Sequence, residues 1–348
     1  VGLGKPGLSF RHMNTIGVSE SPYNADNKHF DRPRALAVDA NQNVYLVDQN
    51  GSRVFKFNKN GVYQWNIGIP GMHYHEEGVD VFNFPRDIGV DAGGNIWVVD
   101  HSRVVQYDSS GAYQQSFPDW GDEPWRCDND NGHFCNPGGI AFGNIAATDY
   151  MFVSDSDNHR VQVFDISGPT LAYSTTIGVT GQPGSDDAHF DEPRQVEVDG
   201  SGNLYVADRQ NARIQKCAYS AGWTCVTFHG TGSFGSGANE LGHVEGIGSI
   251  PGTLYIADSS NNRLKKCSIP SGPCGDFATN IPFPTDVDAI ISEIVLVIHE
   301  PEFSIWHYNA SGSPMADFAG TTGEPYKTDN QRLNRPWGVA VGLDGSLY

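Results

Sequence analysis

Residues 189–216 read HFDEPRQVEVDGSGNLYVADRQNARIQK, and variants of this stretch recur from near one end of the chain to the other. Phe190 and Pro193 lead into a predicted strand over 195–198, Asp199-Gly200-Ser201-Gly202 is turn chemistry, and 204–207 is an apolar run of the kind carried by a strand buried on both faces. Asp208 ends that strand and Arg213-Ile214-Gln215-Lys216 begins a third. The same order stands at 30–57, where Pro33, Asp39, Asp48 and Arg53 match Pro193, Asp199, Asp208 and Arg213. Further copies start at Pro85, Pro137, Val244, Pro284 and Pro336. With Arg34, Arg86, Gly138, Arg194, Glu245, Thr285 and Trp337 taken as equivalent, successive copies lie roughly 40 to 56 residues apart, the period of a four-stranded propeller blade rather than of a helical solenoid.

A repeat of this kind makes the 348 residues one domain, since each unit buries its strands only against its neighbours. With 41 glycines, 20 prolines and no sustained helical periodicity, the class is all-β. Six fuller blades are expected at 34–68, 86–117, 138–178, 194–229, 245–278 and 285–319. A seventh is expected from 336–348 together with 1–17, so that strands from both ends close the ring; six blades with a swapped or incomplete end is the alternative. The chain starts at Val1 and stops within a repeat, the expectation for a processed or partial polypeptide.

A net charge of −19 sets the surface against phosphate backbones, so nucleic acid is not an expected partner. The longest apolar stretch, 289–298, is of strand length, and membrane insertion is not expected either. Six cysteines fall into three close pairs, Cys127 with Cys135, Cys217 with Cys225 and Cys267 with Cys274, the last two at one position of the repeat. Three bridges would place the protein in an oxidising compartment, hence extracellular; six buried free thiols are the alternative. Sequons at Asn50 and Asn309 fall in predicted turns and are candidate glycosylation sites.

The F-x-x-P that opens a blade, the G-x-h-Y-V-x-D within it and the D-x-x-N-x-R that follows (Asp155/Asn158/Arg160, Asp208/Asn211/Arg213, Asp258/Asn261/Arg263) resemble the NHL repeat over essentially the whole chain. Asp48 with Arg53 and Asp100 with Arg103 are weaker copies, and His299 stands where the sixth Asp should be. The motif reads as structural: a carboxylate at a strand end takes turn amides and pairs with the Arg, while Asn or Gly tolerates positive φ. The segments 131–137 (NGHFCNP) and 208–217 (DRQNARIQKC) resemble the peptidyl-hydroxyglycine amidating lyases. That resemblance implies a zinc held by three histidines that follow the opening proline. Here those positions carry Arg34, Arg86, Gly138, Arg194, Glu245, Thr285 and Trp337, and a guanidinium has no lone pair for a metal. Lyase chemistry of that type is therefore not expected.

Arg34, Arg86 and Arg194 stand where first strands converge on one mouth of the channel, a candidate anion-binding cluster; the competing reading pairs them with Asp48, Asp100 and Asp208. Asp128 and Asp130, in a loop bracketed by the first cysteine pair, are hard oxygen donors suited to calcium, although the loop lacks the EF-hand spacing. Trp120 and Trp125 offer aromatic surface to a protein or glycan partner, or fold back on the blade rim. His73-Tyr74-His75-Glu76-Glu77 lacks the HExxH spacing and reads as a solvated loop. No GxSxG and no P-loop is present. The reading is a secreted, disulfide-stapled propeller that binds a partner or assembles with copies of itself, with no required cofactor; a propeller lyase or hydrolase with a metal in its channel is the alternative.

Overall fold

In the computed structural model the described residues are 33–58, 60, 62–69, 80–118, 127–290, 294–299, 304–309, 311–312 and 314–320, with side chains described as far as Val287 and the later strands by backbone alone. They form four-stranded antiparallel sheets, each a meander in sequence order, spanning 33–67, 87–117, 137–178, 193–230, 244–279 and 284–320. The chain is an all-β propeller. Five of these blades are complete with their side chains, and a sixth is traced beyond Val287 by its backbone. The expected count of seven is corrected accordingly: no seventh sheet is present among the described residues, and 1–17 and 336–348 lie outside them. No helix of the described residues is long and apolar enough to cross a membrane.

Blade four shows how sequence becomes sheet. Its strands are Pro193–Val198, Leu204–Asp208, Arg213–Tyr219 and Trp223–Gly230. Every residue of the second strand is buried, because successive side chains point to opposite faces and a neighbouring blade covers each face. Leu204 and Val206 join Phe152 and Val161 of blade three, whereas Tyr205 and Ala207 join Leu241, Val244 and Ile256 of blade five. Clusters of the same kind join blade one to two, two to three and five to six. From Trp223 onward the outermost strand is mostly half-buried or exposed, as expected of an edge with one face in solvent. The aromatic or aliphatic residue three places before each blade opens (Phe82, Phe134, Phe190, Leu241, Ile281) is at most 1% exposed and wedges the incoming loop into these cores.

The repeat Asp closes the corner between second and third strands. In blade four Asp208 lies opposite Arg213 in the ladder. Its carboxylate accepts from Arg213 Nε at 2.7 Å, Asn211 Nδ2 at 2.9 Å and the Asp191 amide at 2.7 Å. Arg213 spends its remaining donors on the carbonyls of Ser185, Asp186 and His189, and Asn211 reaches that of Gly184. Arg160 grips Asn129, Asp130 and His133 in the same way, and Arg263 grips Ser236, Gly237 and Glu240. The motif thus ties each incoming loop to its blade. One detail differs from the sequence reading. Positive φ falls on the residue just before the Arg (Ser52, His159, Ala212, Asn262; φ 47 to 55°) rather than on the Asn, which is required for its amide donors.

Three disulfides are formed, Cys127–Cys135, Cys217–Cys225 and Cys267–Cys274. The second and third cross-link directly opposed residues of the third and fourth strands in adjacent blades.

Candidate functional site

First strands run along the channel, where a cavity of about 520 Å³ opens. Among the described residues, every position equivalent in the repeat lines it: Arg34, Arg86, Gly138, Arg194, Glu245 and Thr285. The residues immediately after several of these also reach it, among them Asp87, Gln195 and Asp286, with Glu197 further along. A strand would normally turn alternate residues away. Here a bulge at the start of the first hairpin in blades one, three, four, five and six breaks the alternation.

The three arginines predicted as a cluster therefore share one cavity, contributed by three separate blades. Asp48, Asp100 and Asp208 are held by Arg53 at 2.9 Å, Arg103 at 3.2 Å and Arg213 at 2.7 Å. Arg34 Nη1 reaches Gln49 Oε1 at 3.4 Å. Arg194 Nη2 lies 3.8 Å from Glu192, and its Nε is buried without a hydrogen-bond partner.

A fourth arginine was missed from sequence. Arg209 follows the repeat Asp, at a position where Gln49, Ser156 and Ser259 each donate to the carbonyl of the next blade's opening proline: Pro85 at 3.3 Å, Pro193 at 2.6 Å and Pro284. Blade five opens with Val244 instead. Arg209 there donates to Glu245 at 2.7 Å and to Glu192 at 2.8 Å. Burial pulls its pKa down, but the two carboxylates outweigh burial and the pKa is raised. The signal was present in the sequence as the one cation in an otherwise polar column of the repeat.

Asp87 keeps part of its surface toward the cavity but sits deep in the protein. Its carboxylate accepts from the amides of Ile88 and Ile140, each at 2.9 Å. Desolvation pushes it up to about 6, against the opposing pull of those amides, of Arg34 and of Gln195. Gly139 leaves the room for this arrangement, since a Cβ there would come within 2.3 Å of Gln195 Oε1.

Other sequence candidates lie elsewhere. The carbonyls of Asp128, Asn129 and Asp130 accept from Asn158 and Arg160, and Asp128 Oδ1 takes the amides of Asn129 and Asp130. Asn50 is half-buried in a tight turn whose Ser52 has no exposed surface, and Asn309 is the last residue of the strand Ser304–Asn309. Trp120, Trp125 and 73–77 lie outside the described residues. Among the described residues no group of three or more His, Cys, Asp or Glu side chains converges as a metal site. The zinc of amidating lyases finds no donor set at the positions in question, which hold guanidinium, hydroxyl, a lone carboxylate and no side chain at all.

Fold and repeat together make the chain an NHL-type β-propeller. No family model matches it. It is 26% identical over 211 residues to a probable peptidyl-alpha-hydroxyglycine alpha-amidating lyase of Caenorhabditis elegans, covering 56% of this chain and 57% of that protein. To human NHL repeat-containing protein 3 it is 26% identical over 225 residues, 62% of this chain and 54% of that one. The matched region thus spans little more than half of either relative. Among solved structures, a streptogramin B lyase superposes with a TM-score of 0.64 at 14% identity, covering 91% of this chain and 90% of that one, a likeness of fold alone.

Proposed function

We propose that this chain is a binding propeller of the extracellular space whose channel mouth takes a small carboxylate-bearing ligand. One observation carries the reading: Arg34, Arg86 and Arg194 line a single cavity in a protein whose net charge is −19. The cavity's four arginines and four carboxylates make it locally neutral within an acidic whole, so an anion repelled by the outer surface finds its favourable site there. A volume of about 520 Å³ is in the range of small-molecule sites. The three disulfides support an oxidising compartment. A channel metal for lyase or hydrolase chemistry lacks support from these side chains, and assembly with copies of this chain has no observation of its own.

Isothermal titration of short-chain carboxylates into the wild-type chain and the Arg34→Gln/Arg194→Gln variant tests the proposal. Binding that weakens at least tenfold in the variant is expected. Equal affinities, or none in either protein, would overturn it.

A further inference from the structure

The chain enters blades two, three, four and six through a residue held in the left-handed region immediately before the opening proline: Phe84, Asn136, Glu192 and Phe283, with φ from 40 to 57°. The recurrence makes this conformation a demand of the fold. Asn meets that demand at the smallest cost, whereas a bulky side chain is strained there. Three of the four occupants use their side chains within the protein. Asn136 donates to Asp157 at 3.1 Å, Glu192 accepts from Arg209 at 2.8 Å and from Gln210 at 3.1 Å, and the Phe84 side chain is half-buried.

Phe283 differs from the rest of this column. It is 36% exposed and lines the channel cavity, with its amide fixed by Asn262 Oδ1 at 2.9 Å. An exposed phenylalanine in a left-handed conformation is unfavourable twice over, in its backbone and in its contact with water. The aliphatic residues one layer further into the same cavity, Ile88, Ile140, Ile247 and Val287, are at most 7% exposed. Phe283 is therefore the large apolar surface that the cavity presents.

A second observation on the same strand points to a ligand. Two residues on from Phe283, Thr285 is 4% exposed and lines the cavity, and its Oγ1 has no hydrogen-bond partner. A buried hydroxyl left in this way is unfavourable until something supplies a partner. Blade six thus offers the channel an unmet polar group inside and an unmet aromatic face at the rim.

We infer that the channel ligand is an aromatic carboxylic acid, whose carboxylate engages the arginines and the Thr285 hydroxyl and whose ring packs on Phe283. This rests on the carboxylate-binding reading above and adds the substituent. Aromatic pairs in edge-to-face or offset contact gain beyond the area they bury, and a ring lodged on Phe283 takes its exposed face out of water.

The test is calorimetric titration of phenylacetate, 3-phenylpropionate and 4-phenylbutyrate beside acetate, propionate and butyrate, on the wild-type chain. At least one aryl acid is expected to bind about tenfold or more tightly than its parent acid. Phe283→Asn gives blade six the residue that blade three carries at this position. It is expected to cut the advantage to about threefold or less while leaving the parent acid within about twofold. Phe283→Leu, expected to keep only part of the advantage, serves where Phe283→Asn fails to fold. Parent acids binding as well as every aryl acid would overturn the aromatic ligand and leave the carboxylate reading standing. An aryl advantage untouched by substitution of Phe283 would overturn it too, since the ring would then sit elsewhere. Binding of neither series would sink both.

Discussion

Two regions of this propeller are built from the same residue types and behave as opposites. At the corner where each loop enters its blade, Arg160, Arg213 and Arg263 each face one buried Asp and three backbone carbonyls, so donors and acceptors are matched within the protein. At the channel mouth, Arg194 has a carboxylate no closer than 3.8 Å and a buried Nε with no acceptor, while Thr285 keeps an idle hydroxyl. The chemistry of a side chain does not say whether it serves the fold or a ligand. What distinguishes the two is whether the protein itself supplies its partners.

The largest effect that would break this contrast is at the corner. Arg213→Ala leaves the Asp208 carboxylate buried, without its cation, and frees three loop carbonyls. Loss of about 3 to 5 kcal/mol is expected from removing one partner of such a pair. Arg194→Gln, in the channel, where the guanidinium lies 3.8 Å from Glu192 and keeps a buried Nε without an acceptor, is expected to change stability by less than about 1 kcal/mol. Denaturant unfolding of the two variants beside wild type measures both. Comparable losses would erase the distinction between corner and channel.

A channel carboxylate sharpens the comparison through pH. The folded pKa of Asp87, about 6, lies above its unfolded value near 3.8. Between those values the folded state binds more protons than the unfolded one, so the contribution of this group is full below about pH 4 and is lost as pH rises through 6. Relative to Asp87→Asn, the wild-type protein is expected to lose up to about 3 kcal/mol between pH 4 and pH 7. Parallel stability profiles for the two proteins would show that Asp87 is not desolvated as the structure places it.

Much of this was legible before any coordinates, and the reason is periodicity. Position 204–207 reads as a strand covered on both faces because no polar residue interrupts it, and the repeat made Arg34, Arg86 and Arg194 equivalent, which is enough to put them on one channel. Arg209 was hidden because its column is occupied by Gln49, Ser156 and Ser259 in other blades, whose role depends on a proline carbonyl that only the fold brings near. Asp286 and Asp87 were missed for a different reason. Strand alternation turns them away from the channel, and the bulge that readmits Asp286 is a backbone feature without a residue signature. In the Asp128 to Asp130 loop Arg160 takes the backbone carbonyls of Asn129 and Asp130, a contact that only the fold brings about.

The smallest effect is the one most specific to the channel. Val is nearly isosteric with Thr, so Thr285→Val removes a hydroxyl and little else. At the corner, removing any polar group strands its partners; at Thr285 the hydroxyl is 4% exposed and its Oγ1 has no partner to strand. Burying an unsatisfied hydroxyl is unfavourable by about 1 to 3 kcal/mol on mutational scales. Partial hydration from the cavity would relieve part of that, so a gain in stability of about 1 kcal/mol is expected for Thr285→Val in the absence of ligand. The same variant is expected to bind the channel carboxylate more weakly, since the hydroxyl lines the cavity proposed to take it. A substitution that raises stability and lowers affinity together is the signature of a group kept for a ligand. Loss of stability without loss of affinity would assign Thr285 to the fold, with the corner arginines.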